Sequence, residues 1–149
     1  MCYSVFMQQG VDYTAICIVT LCHDGEGNYL LGKRSERCRD EHLRWDLIGS
    51  GAVDFGEKLE DAIRREAKEE IGADSRRTEY LGFREVLRVQ KGRLVHWIAF
   101  DFKVEVKRDQ VQNMEPEKCL ALEWYKLDDF PESMHSQWSV FYNQYKSKL

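Results

Sequence analysis

Three glutamates in one short stretch, Glu66, Glu69 and Glu70, are the side chains best suited to chemistry. At about 100° per residue of an α-helix, Glu66 and Glu70 lie about 40° apart around the axis, and Glu69 lies about 60° from Glu66. The three carboxylates would share one helix face and repel one another. A hard divalent cation, which prefers oxygen ligands, would offset that repulsion. The same pattern also fits a solvated acidic face, because basic residues lie among the glutamates.

A helix over residues 58–71 is the element that must position these acids. An apolar stripe at three- and four-residue spacing predicts it, and Gly72 suits the position just after its end. The stripe consists of Leu59, Ala62, Ile63, Ala67 and Ile71. The helix would pack through this stripe and leave much of the opposite face to the carboxylates.

The loop before the helix contains Gly51 and Gly56, and Glu57 follows at the helix entrance. A glycine-rich loop that leads into a helix N-terminus is a natural site for phosphate or for a metal bound by carbonyl groups. The two glycines have the spacing of a P-loop, but Glu57 occupies the place of the required lysine and would repel phosphate. A P-loop is therefore excluded. A serine hydrolase is unsupported, because no G-x-S-x-G motif surrounds Ser50.

The remaining elements are mostly strands. Apolar and β-branched runs predict strands at residues 13–22, 29–34, 80–89, 94–106 and 120–127, with a short apolar piece at 45–48. Turns are predicted at residues 24–28 and 91–92, and residues 35–44 are predicted to form an exposed loop. Trp138, Phe141, Tyr142 and Tyr145 share one helical face. This order predicts an α+β fold, a mixed β-sheet with helices packed on it.

Bulk properties narrow the class of protein. The length of 149 residues predicts a single domain over residues 1–149. The net charge of −4 argues against binding to a nucleic acid polymer, and no apolar run is long enough to predict a membrane span.

The N-terminus lacks the features of a secretory signal. The cysteines, including Cys2, are five in number with no CxxC pair, which favours reduced thiols in the cytoplasm. A zinc set of Cys22, His23, Cys38 and His42 fits no standard spacing.

The segment GAVDFGEKLEDAIRREAKEEIGA resembles the Nudix box of the MutT-like hydrolases. All seven fixed positions match, namely Gly51, Glu57, Arg65, Glu66, Glu69, Glu70 and Gly72. Ala67 and Ala73 replace larger aliphatic residues, and Gly49-Ser50-Gly51 replaces the Pro-Gly-Gly of many relatives, a loss of proline that would loosen the loop. The runs LLGKR at residues 30–34 and LEWYKLDDFP at residues 122–131 also look Nudix-like. The resemblance implies an αβα sandwich, in agreement with the predicted element order.

The resemblance also implies an activity, a cofactor and roles for individual residues. Family members hydrolyse a nucleoside diphosphate linked to another group, with Mg²⁺, for which Mn²⁺ can substitute. Glu66, Glu69 and Glu70 would bind metal, Glu57 would bind or support a further ion, and Ser50 would offer its backbone carbonyl. Arg65 would orient a carboxylate and thereby serve catalysis.

Substrate binding is the least specified part of the resemblance. Arg34 is a candidate phosphate ligand. Glu115 and Glu117, in the segment NMEPEKC, are candidates for a further acidic group, and this segment resembles a loop of Nudix enzymes that act on nucleoside triphosphates. The alternatives are a solvent-facing arginine and a charged surface loop. Trp97 is expected in the sheet, although it could stack on a base.

The favoured substrate is a nucleoside triphosphate, cleaved to the monophosphate and pyrophosphate. A nucleotide sugar or ADP-ribose is the alternative, and so is a non-catalytic Nudix domain that only binds a nucleotide. The expected partner is a small nucleotide, with neither a nucleic acid polymer nor a membrane. A homodimer is compatible with the family, and the sequence leaves the oligomeric state open.

Overall fold

The computed structural model describes residues 6–149 and contains a single seven-stranded sheet with two α-helices. The strands are β1 (Ala15–His23), β2 (Tyr29–Arg34), β3 (Trp45–Leu47), β4 (Gly51–Ala52), β5 (Ser75–Gln90), β6 (Arg93–Val106) and β7 (Cys119–Tyr125). The helices are α1 (Leu59–Ile71), between β4 and β5, and α2 (Trp138–Tyr145), after β7. Within residues 6–149, neither helix combines the length and apolar character needed to cross a membrane.

The sheet is mixed, as predicted. Its strands follow the order β3-β2-β1-β6-β5, while β4 pairs with β1 and β7 pairs with β2. Strands β1 and β6 run parallel, with Ala15 opposite Trp97 and His23 opposite Glu105, and the other pairs are antiparallel. The short β4 is important for function because it joins Gly51 and Ala52 to the centre of the sheet, directly before α1.

The helices cover opposite faces of the sheet, because each helix packs into a different apolar core. Ala62, Ile63, Ala67 and Ile71 of α1 pack against β1, β2 and β6. Phe141 and Tyr145 of α2 pack with a different set of strand residues, which includes Leu21, Tyr29 and Leu81. This three-layer arrangement confirms the αβα sandwich.

Most predicted elements are confirmed, with some shifted ends. The predicted helix over residues 58–71 is α1, and Gly72 ends it in the left-handed conformation (φ 66°), with its N–H donating to the Lys68 carbonyl at 3.2 Å. The hairpin turn at residues 91–92 has positive φ at both positions, 50° and 76°. Strand β5 begins at Ser75, five residues before the predicted start, because residues 75–79 are polar and pair with β6 without an apolar face. The prediction also missed β4 and the parallel pairing of β1 with β6.

Candidate active site

Arg65 connects α1 to the loop that precedes it. Its Nε and Nη2 donate to the two carboxylate oxygens of Glu57 at 2.8 and 2.9 Å, and Nη2 also donates to the Ala52 carbonyl of β4 at 2.9 Å. Nη1 donates to Oε1 of Glu66 and lies 3.4 Å from Oε2 of Glu69. The bidentate bond from Arg65 lowers the pKa of Glu57 to about 2. One guanidinium therefore fixes the glycine-rich loop and two of the candidate metal ligands at once.

Glu66 lies against the backbone of Gly51. The side chain of Glu66 is buried, and a Cβ built on Gly51 would lie 2.1 Å from Glu66 Oε1 and 2.7 Å from Oε2. Only glycine leaves room for this carboxylate between α1 and β4. The structure thus gives a steric reason for the glycine that begins the box.

The loop over residues 48–50 is held by hydrogen bonds from both sides. The Gly49 N–H donates to Oε2 of Glu70 at 2.6 Å, and the Thr20 N–H donates to Oγ of Ser50 at 2.9 Å. The hydroxyl of Thr20 lies 2.8 Å from the Ile48 carbonyl oxygen and 2.9 Å from that of Gly49, and it donates to this pair. Gly49 itself adopts φ 81°, where other residues are strained. These contacts hold a loop that lacks the proline of many relatives.

Burial and neighbouring negative charges raise the pKa values of Glu66 and Glu70. Burial raises the pKa of Glu70 to about 8, against the hydrogen bond from Gly49, and the charges of Glu66 and Glu115 contribute to the increase. The pKa of Glu66 is also raised, chiefly by burial, although Arg65 opposes this. Arg65 partly compensates the charge of Glu66, whereas the hydrogen bonds that favour ionised Glu70 come from backbone N–H groups.

The residues around these carboxylates fit a hard divalent cation. Their donors are oxygens, and the glycine at position 51 leaves a cradle that a Cβ would fill. Within the part of the chain that the structure describes, no three His, Cys, Asp or Glu side chains are already arranged as a ligand set. The reason is that Nη1 of Arg65 holds Glu66 and Glu69, while Gly49 holds Glu70. Binding of a cation would require Glu66 or Glu69 to exchange its contact with Arg65 for the ion.

The structure separates the two candidate acids of the later loop. Glu115 and Glu70 line the same polar cavity of about 290 Å³, and Lys118 donates to Oε1 of Glu115 at 2.8 Å. Glu117 is exposed, does not line that cavity, and contributes its backbone carbonyl to the hydroxyl of Ser35 at 2.6 Å. The geometry therefore brings Glu115 to the candidate site and leaves Glu117 outside it.

The lining of this polar cavity also contains basic side chains. Arg34 lines it and is half-buried, with Nη2 3.0 Å from Asp40 Oδ1 and Nη1 2.9 Å from Asp46 Oδ2. Four further cations line the same cavity, namely Lys33, Arg37, Arg39 and Lys118. Arg37 and Arg39 belong to the segment over residues 35–44, which was expected to be an exposed loop. Both are exposed, but Ser35 is buried and Asp40 is partly buried and accepts hydrogen bonds from Arg34, Arg88 and Gln90.

A second cavity of about 230 Å³ adjoins the first, because Arg39, Asp46, Leu47 and Ser50 line both. Its walls are largely apolar and include Cys17, which is only partly buried. Trp97, expected in the sheet, lies in β6 and also borders this cavity. The guanidinium carbon of Arg39 lies 5.9 Å from the centroid of the Trp97 ring.

Some functional candidates were not identified from the sequence. Thr20 could not be recognised as a loop anchor, since it lies 30 residues from Ser50 and only the pairing of β1 with β4 brings them together. Arg84 and Asp101 form a buried ion pair that depends on the register of β5 and β6. The zinc set of unusual spacing does not assemble among the described residues: Cys22 is buried in the core beside α1, whereas Cys38 and His42 lie in the loop over residues 35–44. Cys17, Cys22, Cys38 and Cys119 are free thiols, and Cys2 lies outside the described residues.

Comparisons with known proteins agree with this geometry. Residues 13–144 match the NUDIX domain. A Caenorhabditis elegans protein whose name places it among the nudix hydrolases is 28% identical over 129 residues, which cover 86% of this chain and 32% of that protein. The chain thus spans about a third of the length of this curated relative.

Two crystal structures are similar to this chain. The MutT NUDIX hydrolase of Burkholderia pseudomallei has a TM-score of 0.76 and 27% identity, with coverage of 89% of this chain and 98% of that one. The MutT protein of Methanosarcina mazei Go1 has a TM-score of 0.75 and 24% identity, with coverage of 91% of this chain and 94% of that one. At this identity the similarity supports the fold alone. Because the NUDIX domain match covers most of the chain and all seven fixed positions of the box are present, the chain belongs to the Nudix hydrolase family.

Proposed function

We propose that this chain hydrolyses a diphosphate linkage in a nucleotide with the help of Mg²⁺, and that its preferred substrates are nucleoside triphosphates. The observation that carries the proposal is a polar cavity whose lining contains both carboxylates and cations. The acids include Glu70 and Glu115, and the cations include Lys33, Arg34 and Arg39. Such a cavity can hold a metal ion and a polyphosphate together, since the carboxylates attract the metal and the cations attract the phosphates.

The proposed metal ligands are Glu66, Glu69 and Glu70, with the backbone carbonyl of Ser50 and support from Glu57. Bound there, Mg²⁺ would neutralise phosphate charge and acidify a water molecule for attack on phosphorus. Arg65 is a positioning residue in this proposal, because its guanidinium is anchored by Glu57 and Ala52 while it contacts the acids. Glu115 lines the same cavity and is suited to accept a proton from the attacking water.

The cations of this cavity favour a triphosphate over a nucleotide sugar or ADP-ribose. A nucleoside triphosphate carries more negative charge than either alternative, and the cavity lining supplies several cations. Arg34 is paired with Asp40 and Asp46, so its charge is offset and a phosphate would share its donors with these carboxylates. Arg37 and Arg39 are exposed and line the same cavity, which places them where they can contact a phosphate chain.

A product assay tests the proposal. The chain is incubated with Mg²⁺ and, in separate reactions, a nucleoside triphosphate, a nucleotide sugar and ADP-ribose, and the products are resolved by anion-exchange chromatography. We expect monophosphate and pyrophosphate from the triphosphate, and loss of turnover in Glu70→Gln. Nucleotide binding without turnover of any substrate would instead identify a non-catalytic domain, and turnover in the absence of a divalent cation would contradict the proposed metal site.

A further inference from the structure

A buried cluster of charged and polar groups forms one wall of the second cavity. Nε and Nη2 of Arg84 donate to the two oxygens of Asp101 at 2.7 and 2.8 Å, and the Tyr145 hydroxyl donates to Asp101 Oδ2 at 2.7 Å. Asp101 has no exposed surface and Arg84 is only 6% exposed. The guanidinium carbon also lies 5.4 Å from the ring centroid of Phe141. These contacts hold the guanidinium plane in a single orientation.

One nitrogen of this guanidinium is left without a partner. Nη1 of Arg84 is buried and makes no hydrogen bond, although Arg84 lines the cavity that adjoins the carboxylates. A buried donor without an acceptor is costly, and most such donors in folded proteins are paired. Because Asp101 holds Nε and Nη2, Nη1 is the nitrogen of Arg84 that could still donate to an acceptor bound in the cavity.

The charges of the cavity indicate what kind of acceptor would suit. Asp101 balances Arg84, Asp40 and Glu41 both pair with Arg88, and Asp46 adds a further carboxyl group to the lining. Two of the three cations that line this cavity are therefore already neutralised, and the third, Arg39, lies at its junction with the polar cavity. A second phosphate would find little net positive charge here. A neutral carbonyl oxygen would accept from Nη1 without that requirement.

We propose that this cavity binds the nucleobase of the substrate, and that Nη1 of Arg84 selects bases with a carbonyl oxygen at purine position 6 or pyrimidine position 4. The lining around Arg84 suits a planar ring, because it includes aromatic Trp97 and apolar Val86 and Ala99. An amino group at the same position is itself a donor, so it could not accept a hydrogen bond and Nη1 would stay unpaired. This inference rests on the proposed function, since it identifies the base of the same nucleotide substrate.

Binding of nucleoside monophosphates without metal tests the inference separately from catalysis. Two matched pairs differ by a keto or an amino group at the position in question, namely IMP with AMP and UMP with CMP. Isothermal titration calorimetry should give a dissociation constant roughly 10- to 100-fold lower for the keto member of at least one pair. In Arg84→Lys, which keeps a charge opposite Asp101 but lacks Nη1, the difference should shrink to less than about threefold.

Arg88→Lys is the matched control, because Arg88 lines the same cavity with its donors already engaged by Asp40 and Glu41. The keto preference should persist in this variant. If Arg84→Lys does not fold, ¹⁵N-arginine labelling of the wild type supplies a second readout, in which IMP or UMP, but not AMP or CMP, shifts the Nη resonances of Arg84. Equal binding within both pairs, no binding of any monophosphate, or an unchanged preference in Arg84→Lys would overturn the inference. Absence of magnesium-dependent turnover with the preference intact would refute only the proposed function.

Discussion

Substitution of Gly51 by alanine should disable the site through Glu66 while the fold survives. The new Cβ would lie 2.1 Å from Glu66 Oε1, whereas ordinary contact begins near 3.4 Å, so the carboxylate must move by about 1.3 Å. Metal ligation tolerates displacements of only about 0.2 Å. A misplacement of about 1 Å costs roughly 100-fold in rate, which corresponds to about 2.7 kcal/mol in the activation free energy.

Stability should respond far less than activity. Gly51 lies in strand β4 and does not have the positive φ that strains other residues, so alanine fits its backbone. Replacing glycine by alanine at such a position stabilises a protein by about 0.4–1 kcal/mol through the unfolded chain, which offsets part of the cost of moving Glu66. The melting temperature should therefore change by only a few degrees.

A double-mutant cycle provides the assay. Steady-state turnover with Mg²⁺ is measured for the wild type, Gly51→Ala, Glu66→Ala and the double variant. If Gly51→Ala acts through Glu66, the double variant should be no slower than Glu66→Ala alone. Wild-type turnover in Gly51→Ala, or fully additive losses in the double variant, would refute the steric argument.

Three further predictions concern the supports of the site. Thr20→Val removes the hydroxyl that donates to the Ile48 and Gly49 carbonyls, so we expect the free energy of unfolding to fall by about 1–3 kcal/mol. This loss corresponds to a fall of roughly 2–12 °C in melting temperature, which calorimetry measures. Arg65→Ala should lower turnover more than metal affinity, and an unchanged rate would contradict its positioning role. Glu57→Gln should alter the pH dependence of stability, because Arg65 lowers the pKa of Glu57 in the folded state to about 2. Stability from this shift is present above pH 4.5 and is lost as pH falls toward 2, so the wild type should exceed Glu57→Gln at pH 7 and converge with it near pH 2. A constant difference across that range would show that the ionised form of Glu57 is not the source.

The parts of the fold that are set by local pattern could be predicted from the sequence. The apolar stripe of α1 and the glycine after its last turn defined both ends of that helix, because periodicity and capping act within a few residues. Strand β5 was predicted too short, since residues 75–79 are held by pairing with β6 and not by an apolar face of their own. Parallel pairing of β1 with β6 joins segments about 80 residues apart and has no local signal.

In the site, too, local motifs could be predicted from the sequence and contacts across the sheet could not. Glu57, Arg65 and Glu66 lie in one continuous motif, so sequence alone indicated that they belong together. Thr20 and Arg84 act through contacts across the sheet, and no spacing in the sequence reveals them. Glu115 and Glu117 are only two residues apart and have the same side chain, and their separation into a cavity residue and a surface residue depends on the path of one loop.

Electron paramagnetic resonance of Mn²⁺ tests most directly whether the inner glutamates hold a divalent ion. Free Mn²⁺ is titrated with the wild type, Glu66→Gln, Glu70→Gln and, as a control for an exposed glutamate outside the cavity, Glu117→Gln. Loss of the free-ion signal in the wild type and Glu117→Gln, with much weaker uptake in the two inner variants, is the predicted result. Equal uptake by all four proteins, or no uptake by any, would contradict the account.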